Sequence, residues 1–236
     1  MKAFVDLHCH TSASFDSLAD PAAVVPAAVA RGLTHLAITD HDRIDGALRA
    51  RDAAPDGFTV IVGEEIRTAD GDLIAAYLER AVPPGMPARD TIAAVREQGG
   101  LVGVPHPFDR SRGSLLRDQR LEATAGLADW IEAYNARLIG SGNDRAATLA
   151  RELGKPGVAV SDAHSVLEVG VAYTVLHGDP STADGLLAAL AGPEPPEIVP
   201  GRASFYVRLL TPVAKVVNRA RGNGRIRPAG ARGGVS

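Results

Sequence analysis

Short apolar segments recur along the chain at fairly even spacing, and alanine-rich stretches with helical period separate most of them. The apolar segments have the length and β-branched content of strands, and they cover residues 3–7, 34–39, 58–62, 73–78, 101–104, 129–133, 157–160 and 171–175. The helical stretches cover residues 21–31, 43–53, 89–98, 142–153 and 182–191. Strands that alternate with helices predict βα units arranged around a parallel sheet.

The first predicted helix carries its own start and stop signals. Asp20 is a favourable N-cap, Pro21 suits the first helical turn, and Gly32 follows the last helical residue. Pro26 removes one backbone hydrogen bond inside this helix, which predicts a kink.

The domain organisation follows from where proline, glycine and charge accumulate. Residues 1–200 show no internal repeat and no linker, which predicts one domain. Residues 201–221 hold enough apolar side chains to pack on this body as a last element, although Pro212 is expected to interrupt any helix there. Residues 222–236 are basic and have too little apolar content to fold, which predicts a disordered tail.

The composition is that of an ordinary globular protein, with 45% hydrophobic and 22% charged residues in 236 positions. The start of the chain lacks the apolar stretch of a signal peptide, and no apolar run approaches the roughly 18 residues that span a bilayer. The lone cysteine, Cys9, excludes an intrachain disulfide and fits a reducing compartment. We therefore expect a cytoplasmic protein without a membrane partner.

Charge is distributed unevenly along the chain. The net charge is −3, but residues 215–236 carry six basic and no acidic residues, which leaves −9 for residues 1–214. An acidic body disfavours a nucleic-acid surface and suits a protein that gathers several divalent cations in one place.

Two histidines near the start of the chain, His8 and His10, are separated by one residue. Side chains two apart in a strand share a face, so these imidazoles and Asp6 are expected to point one way, and Leu7 and Cys9 the other. On its own the pair is a weak signal for a metal site, because surface or hydrogen-bonded pairs have the same spacing.

Further histidines and acids lie at or just past the ends of other predicted strands. They are His41, Glu64 and Glu65, His106, Glu132, and Asp162 with His164. The loops at the carboxyl ends of the strands build the active site of a (β/α) barrel. Scattered core histidines have no reason to occupy the same end of each strand. The remaining two histidines, His35 and His177, are expected to be structural or exposed.

The donor types indicate a site for more than one metal ion. Imidazoles and carboxylates are present without a thiolate cluster, and they outnumber the four or five ligands of a single zinc or manganese site. The sequence therefore predicts two or three divalent ions bridged by shared carboxylates. Cys9 is expected to be a packed small hydrophobe rather than a ligand.

In chain order, the motifs DLHCHT, TDHD, GEE, PHP, IEAYN and SDAH resemble those of the polymerase and histidinol phosphatase (PHP) family. They are spread over residues 6–164, and compact family members also share QGG, HPFD and YNAR. The resemblance implies an α/β fold, a distorted (β/α)7 barrel, here with a C-terminal extension. It also implies a trinuclear centre of zinc, manganese or iron and the hydrolysis of phosphoesters.

Carried over motif by motif, the resemblance implies three sets of metal ligands. The sets are His8, His10, Glu65 and Asp162 for a first ion, Glu65, His106 and Glu132 for a second, and Asp16, His41 and His164 for a third. Asp16 and Glu132 are carboxylates where histidine-rich members have histidine, which favours manganese or iron over an all-zinc centre. The loop of Asp16 could equally end in a solvated aspartate.

The expected reaction is in-line attack on a phosphomonoester by a metal-activated hydroxide. Two neighbouring ions lower the pKa of a bridging water and neutralise the phosphoryl oxygens that it attacks. His164 or Asp40 is expected to assist proton transfer to the leaving alcohol.

Phosphate also favours fixed positive charge, and Arg110, Arg112 and Arg137 lie within a few residues of expected ligands. A guanidinium can hold phosphate through two parallel hydrogen bonds, and Arg137 in YNAR is the first choice. The alternative is a solvated arginine, which is favoured for Arg110 and Arg112 taken singly.

Several acids close to the expected ligands have competing assignments. Asp6, Asp40 and Asp42 could accept the second ring N–H of a ligand histidine and fix its tautomer. Asp42 suits the N-cap of the following helix equally well. Glu64 competes with Glu65 for the bridging position, and the G-x-E pattern of the family selects Glu65.

These features favour a metal-dependent phosphatase or phosphoesterase that acts on a small phosphorylated metabolite or nucleotide. A less favoured alternative is an exonuclease or oligonucleotide phosphodiesterase, for which the arginine-rich tail would supply non-specific contacts. A third alternative is a non-catalytic, metal-stabilised PHP module, against which the intact ligand set argues. The sequence leaves the substrate, the metal and the oligomeric state open.

Overall fold

The computed structural model describes residues 1–109 and 121–226 as a mixed α/β protein with a nearly closed barrel. Within these residues the strands are β1 (Lys2–Asp6), β2 (His35–Ile38), β3 (Thr59–Arg67), β4 (Asp72–Ala76), β5 (Leu101–Val104), β6 (Trp130–Asn135), β7 (Gly157–Val160), β8 (Tyr173–His177) and β9 (Glu197–Val199). The α-helices are α1 (Pro21–Ala30), α2 (Asp45–Asp52), α3 (Ala88–Arg96), α4 (Leu121–Leu127), α5 (Gly142–Glu152), α6 (Ala183–Leu190) and α7 (Leu210–Ala220). The barrel confirms the fold class expected from the sequence.

The strands form one sheet in the order β7-β6-β5-β4-β3-β2-β1-β8-β9. β1, β2 and β3 pair in parallel, as do β5, β6 and β7. β4 runs antiparallel to β3 and β5, and β8 runs antiparallel to β1 and β9. The prediction of a wholly parallel sheet is therefore wrong at β4 and β8. The connection at 68–71 is too short for a helical crossover, so β4 folds back on β3.

A threonine side chain joins the two sides of the barrel. The Thr174 hydroxyl on β8 accepts a hydrogen bond from the Ala159 N–H at 2.8 Å and donates one to the Ala159 carbonyl at 2.9 Å. Because β7 lies at one end of the sheet order, this hydroxyl links it to β8 in place of a backbone ladder.

Helix α1 forms as its sequence signals predict. The Asp20 side chain accepts a hydrogen bond from the Ala22 N–H at 2.8 Å, and the helix continues through Pro26 to Ala30. Gly32 follows with a φ of 80°, a conformation that glycine adopts without strain.

Two apolar clusters stabilise the barrel. One contains strand residues together with residues of α6, including Val5, Ile61, Trp130, Leu176 and Leu186. The other packs strand residues against the surrounding helices and includes Val24, Ile38, Ile66, Val104 and Leu149. Trp130 and Cys9 are both fully buried, as expected of core residues.

Two short elements, β9 and α4, were not expected from the sequence. β9 is three residues long and lies in the proline-rich stretch of the sequence. It forms a strand there by pairing with β8, a contact that the local sequence pattern does not indicate. α4 spans seven residues, too few to show a clear helical period.

The chain ends in a 3-10 helix (Phe205–Leu209) that leads directly into α7. The expectation that Pro212 would interrupt a helix here is wrong, because Pro212 lies in the first turn of α7, where its missing N–H costs no intrahelical bond. Arg208 fixes this segment to the end of β6 by donating to the carbonyls of Ala136 and Arg137 at 2.9 and 3.0 Å. No helix among the described residues is both long enough and apolar enough to cross a membrane.

Candidate metal centre

Four side chains converge at one end of the barrel, three from just beyond β1 and β7 and one from the last part of β3. The Nε2 atoms of His8 and His10 lie 3.0 Å apart, and Glu65 Oε2 lies 3.4 Å from the first and 3.2 Å from the second. Asp162 Oδ1 lies 3.7 Å from both nitrogens. We call His8, His10, Glu65 and Asp162 the first donor cluster.

A second donor cluster lies beside the first and shares His10 with it. Its members are His10, Asp16, His41 and His164, whose donor atoms all lie within 4.8 Å of one another. Asp16 Oδ2 lies 3.4 Å from both His41 Nε2 and His164 Nε2. His41 Nδ1 lies 3.3 Å from Glu65 Oε2, so the two clusters form one continuous group.

The backbone around the clusters departs from ordinary conformations. His106 and Asp162 have φ values of 25° and 52°, in a region that is uncommon for residues with a Cβ. Asp42, beside His41, has a φ of 57°. Such strain persists only where surrounding contacts enforce it, and it is concentrated at functional sites.

Hydrogen bonds assign the tautomers of His8 and His164. Their Nδ1 atoms lie 2.6 Å from Glu132 Oε1 and 2.9 Å from the Asp162 carbonyl oxygen. Since a carboxylate and a carbonyl only accept hydrogen bonds, Nδ1 carries the hydrogen in both rings. Nε2 is therefore the nitrogen that faces the clusters in both rings. Burial opposes protonation of His8, but Glu132, Asp162 and Glu65 raise its pKa well above the ordinary value, so an ion would displace the proton of its Nε2.

Burial and neighbouring charges set the protonation of the second cluster. Burial, with His164 and His41 nearby, lowers the pKa of His10 to about 3. Burial alone would lower the pKa of His41, but Glu65 and Asp16 raise it to about 9. Burial opposes ionisation of Asp16, yet His41 and His164 hold the pKa of its carboxyl well below its ordinary value. A neutral imidazole and an ionised carboxylate are the forms that bind metals, so His10 and Asp16 are already in these forms, whereas His41 would lose a proton when an ion binds.

The two clusters fit divalent metal ions. Ligands at about 2.1 Å from a tetrahedral ion are roughly 3.4 Å apart, and the donor distances of 3.0 to 3.7 Å in the first cluster bracket that value. Nδ1 of His10 and Nδ1 of His106 are buried without a hydrogen-bond partner among the described residues. Imidazoles with carboxylates and no thiolate suit zinc, manganese or iron.

Two expected ligands, His106 and Glu132, lie beside the clusters. His106 Nε2 is 3.1 Å from Glu65 Oε1, so Glu65 contacts it with the oxygen that faces away from His8 and His10. Glu132 contacts His8 Nδ1 through Oε1 and accepts from the His106 N–H and from Asn135 through Oε2. Glu132 therefore orients the His8 ring through these contacts.

Two acids that flank the ligands, Asp6 and Asp40, accept hydrogen bonds from backbone N–H groups and a hydroxyl, and not from imidazole rings. Asp6 accepts from the N–H groups of Ser161 and Gly170 at 3.0 and 3.2 Å, and Asp40 accepts from both the N–H and the hydroxyl of Thr11. Burial raises the pKa of each carboxyl to about 6. The hypothesis that these two acids fix histidine tautomers is therefore not supported by their contacts.

Asp42 and Glu64 also have roles that the sequence did not indicate. Asp42 accepts from the Arg67 N–H at 2.9 Å, and α2 begins only at Asp45, so Asp42 caps no helix. Glu64 points away from the clusters and accepts from the Val82 N–H at 2.8 Å. Glu65 is the one of the two adjacent glutamates that faces the imidazoles, in agreement with the family pattern.

Arg137 is held by a buried acid that the sequence did not single out. Its guanidinium pairs with Glu168 Oε1 and donates to the Thr211 hydroxyl at 2.9 Å. Glu168 also accepts from the His164 N–H at 3.1 Å, so it links Arg137 to the second cluster. Arg110 and Arg112, for which a solvated position was favoured over a phosphate contact, lie outside the described residues.

Asn135 is a second residue that sequence reasoning missed. Its side-chain amide donates to Glu132 Oε2 at 2.9 Å and to Asp162 Oδ2 at 3.0 Å, which joins two of the expected ligands. The position of Asn135 at the end of the β6 motif was the available signal. Its partner Asp162 is 27 residues away, so the contact could not be read from spacing.

The C-terminal segment crosses the end of the barrel that carries the clusters. α7 begins beside Arg137, and near its end Asn218 donates to the carbonyls of Ser14 and Ser17 at 3.1 and 2.8 Å. Both carbonyls belong to the loop that carries Asp16.

Beyond α7, residues 222–226 lie against the body. Asn223 donates to the Ser12 and Ala13 carbonyls at 3.0 and 3.1 Å, and the Arg225 guanidinium lies 5.5 Å from the centre of the Phe15 ring. The rest of the predicted tail, 227–236, lies outside the described residues.

A cavity of about 500 Å³ lies between the loops that follow β5 and β6, and Arg137, which pairs with Glu168, is part of its lining. Phe108, Asp109, Arg137 and Arg145 contribute to its lining. The Arg145 guanidinium lies over the Phe108 ring, 4.1 Å from its centre. The lining thus carries two guanidinium groups and an aromatic ring together with the carboxylate of Asp109.

The fold and the donor set together define a class, the distorted barrels that carry a cluster of metal-binding side chains at one end. A family model described as the PHP domain matches residues 6–145, and one described as PHP-associated matches residues 140–192. The first covers more than half of the chain. The chain belongs to the PHP family, as its motifs indicate.

Relatives of this chain match different shares of its length. The uncharacterized protein MJ0417 of Methanocaldococcus jannaschii is 32% identical over 173 residues, which are 72% of this chain and 68% of that protein. A 5'-3' exoribonuclease of Haemophilus influenzae is 45% identical over 64 residues, which are 27% of this chain and 23% of that protein.

Two solved structures share the fold. A two-domain protein of Bacteroides vulgatus containing a predicted PHP-like metal-dependent phosphoesterase has a TM-score of 0.72 at 20% identity, over 85% of this chain and 65% of that chain. The lesion-specific endonuclease PfuEndoQ of Pyrococcus furiosus has a TM-score of 0.63 at 17% identity, over 84% of this chain and 58% of that chain. This chain therefore spans less than two thirds of either structure.

Proposed function

We propose that the protein hydrolyses a phosphomonoester of a small phosphorylated metabolite or nucleotide at a centre of two or three divalent ions. The observation that carries the proposal is the convergence of two donor clusters that share His10 and are joined through Glu65. Adjacent ions are the arrangement that phosphatases and nucleases use to attack a phosphoryl group.

The residues that would hold the ions follow from the contacts. His8, His10, Glu65 and Asp162 would hold one ion, and Asp16, His41 and His164 would hold another with His10 or Glu65 at hand. His106, which contacts the second oxygen of Glu65, would belong to a further ion. Glu132 is the least supported ligand, because both of its oxygens already accept hydrogen bonds. Bound ions would neutralise phosphoryl oxygens and lower the pKa of an attacking water.

His164 and Asp40 were both expected to assist proton transfer to the leaving alcohol. The Nδ1–H of His164 is fixed on the Asp162 carbonyl, so Nε2 is the nitrogen that would bind an ion, and proton transfer by His164 stays a prediction for a state in which Nε2 holds no ion. Both oxygens of Asp40 are engaged by Thr11, so a role for Asp40 in holding the loop after β1 fits its contacts. Proton transfer by Asp40 stays a prediction.

Arg137 would orient the substrate from the adjacent cavity. Its ion pair with the buried Glu168 fixes the guanidinium, while 12% of the side chain stays exposed at the cavity wall. A cavity of about 500 Å³ suits a ligand of mononucleotide size. A fixed guanidinium is suited to a second phosphate oxygen or another anionic group of the substrate.

The position of the C-terminal segment favours a small substrate or a chain end. α7 and residues 222–226 extend from Arg137 to the loop of Asp16, above the second cluster. An internal phosphodiester of a long duplex would need this segment to move aside, whereas a terminal phosphate could enter beside it.

Hydrolysis of short nucleic-acid ends is the second candidate function. The local identity to a 5'-3' exoribonuclease and the shared fold of a lesion-specific endonuclease favour it. The cations along the C-terminal segment would supply phosphate contacts whose strength falls steeply with salt.

The test is to load metal-free protein with manganese, iron or zinc in turn and to assay mononucleotides, sugar phosphates, histidinol phosphate and short oligonucleotides. We expect the best metal to support monoester hydrolysis. The double variant His8→Ala, Glu65→Ala should lose more than about 10³-fold in kcat/KM, since the first cluster loses two of its four donors and Glu65 no longer links it to His41. His177→Ala is the matched control, because His177 lies outside both clusters and its imidazole pairs with the exposed Glu194.

If the protein hydrolyses oligonucleotides but none of the monoesters, and this activity falls steeply with added salt, the monoester proposal is wrong and the protein is a nuclease. Unchanged hydrolysis in the double variant would refute both functions.

A further inference from the structure

The C-terminal segment turns an apolar stripe away from the body of the protein. Tyr206 is 78% exposed and Val216 is 70% exposed, although large apolar side chains are usually buried. The stripe consists of Phe205, Tyr206, Leu209, Leu210, Val213 and Val216. Contiguous apolar patches of this kind mark interaction sites on soluble proteins.

α7 is oriented with one face against the barrel and the opposite face toward solvent. Successive residues of an α-helix are rotated by about 100°, so Leu209, Val213 and Val216 lie on one face and Ala214 and Asn218 on the opposite face. Ala214 and Asn218 are the buried residues of α7. The helix thus packs a small and polar face on the barrel and presents its apolar face outward, the reverse of an ordinary surface helix.

Cations border the stripe, and acids are absent from the segment. Residues 198–226 contain six lysine and arginine residues and no aspartate or glutamate. Arg202, Lys215, Arg219 and Arg221 are exposed. An aromatic and aliphatic stripe beside exposed cations is the pattern of a helix that lies in a lipid–water interface.

Other occupants fit this surface less well. Pairing the stripe with its own copy would bring cation next to cation in either helix orientation, because the segment has no acid to oppose them. Nucleic acid would use the cations and the two aromatic rings, but Leu209, Val213 and Val216 offer it neither charge nor a stacking face. Anionic lipid satisfies the aliphatic stripe and the cations together.

We propose that this surface docks the protein on an anionic bilayer, with the apolar stripe at the level of the headgroups. The proposal goes beyond phosphoester hydrolysis and departs from the sequence-based expectation of no membrane partner. Because the segment crosses the end of the barrel that carries the donor clusters, docking would bring the catalytic end close to the membrane surface.

The test is co-sedimentation of the full chain with vesicles of phosphatidylcholine alone and of phosphatidylcholine mixed with phosphatidylglycerol. We expect binding to the mixed vesicles only. Val213→Asp with Val216→Asp should abolish it, and Lys215→Gln with Arg219→Gln should weaken it by about thirtyfold. Leu127→Asp with Leu167→Asp is the matched control, since these side chains are 51% and 60% exposed elsewhere on the body and their replacement should change nothing.

Retained hydrolysis and an unchanged circular dichroism spectrum would show that the Val213 and Val216 variant is folded. Absence of vesicle binding, or equal binding by the stripe variant and the wild type, would overturn the proposal. So would sedimentation velocity that detects a dimer dissociated by the stripe variant, or a stripe-dependent complex with an oligonucleotide. In those outcomes the stripe serves a second copy or a nucleic acid.

Discussion

His10 is the residue on which the two donor clusters depend, because it belongs to both. The short motif DLHCHT predicts its nearness to His8, and strand periodicity gives the reason. Periodicity fails for Asp6, which bonds the backbone of Ser161 and Gly170 instead of facing the imidazoles. Leu7 packs in the apolar cluster that contains Val5, whereas Cys9 packs in the apolar cluster between the strands and the surrounding helices. The strict alternation of a strand therefore ends within this motif.

Some residue roles could not be read from the sequence because they rest on distant contacts. The role of Glu168 follows from two contacts, since one carboxylate oxygen pairs with Arg137 and the other accepts from the His164 N–H. Asn135 similarly joins Glu132 and Asp162 across the sheet. Neither residue type at its position is unusual on its own.

Gly103 allows a test of packing at the level of one residue. A Cβ added there would lie 2.2 Å from Cε2 of Trp130, which is fully buried on the neighbouring strand. We expect Gly103→Ala to lower the free energy of unfolding by about 1–3 kcal/mol, because the indole cannot retreat within a packed core. Denaturant unfolding of the metal-free protein measures it. Gly126→Ala, where an added Cβ meets nothing within 4 Å, is the control, and an equal effect in both variants would contradict this packing.

Among the elements, those with strong local patterns were predicted and those defined by tertiary pairing were not. Strands β1 to β8 and five helices agree with the apolar and helical segments of the sequence. β9 exists through its pairing with β8, and α7 tolerates Pro212 because of where the helix begins. β4 runs antiparallel to β3 because the turn between them is short. The order of strands and helices along the sequence does not predict this direction.

The contact of α7 with the loop of Asp16 gives a prediction at the level of elements. Asn218→Ala removes two hydrogen bonds and leaves the Ser14 and Ser17 carbonyls without that donor. We expect a loss of about 1–3 kcal/mol in unfolding free energy and weaker binding of one metal ion, because the loop that carries Asp16 loosens. Denaturant unfolding and metal titration measure the two effects.

A variant that destabilises the fold elsewhere separates these effects. Thr182→Ala removes the N-cap bond of α6 to Gly185 and should cost about 1 kcal/mol without changing metal affinity. If Asn218→Ala also leaves every metal affinity unchanged, α7 stabilises the fold without positioning Asp16.

At the scale of the whole molecule, the barrel class and the end that carries the site were predictable, since histidines and acids followed one strand after another. The closure of the barrel through Thr174 and the path of the C-terminal segment over the site were not. That path depends on Asn218, Asn223 and Arg208, polar residues whose partners lie far away in the chain. Composition and charge predicted an acidic body, and the structure places four of its acids, Asp16, Glu65, Glu132 and Asp162, against the imidazoles of the site.

The central claim is that the clusters sharing His10 and joined through Glu65 hold several divalent ions. Equilibrium dialysis of the full chain against manganese, followed by elemental analysis, counts the ions for wild type, for Glu65→Gln and for the control His177→Gln. We predict about two or three ions per chain in wild type and control, and fewer in Glu65→Gln, because Glu65 contacts His8, His10, His41 and His106. One ion or none in the wild type, or an unchanged count in Glu65→Gln, would contradict the claim.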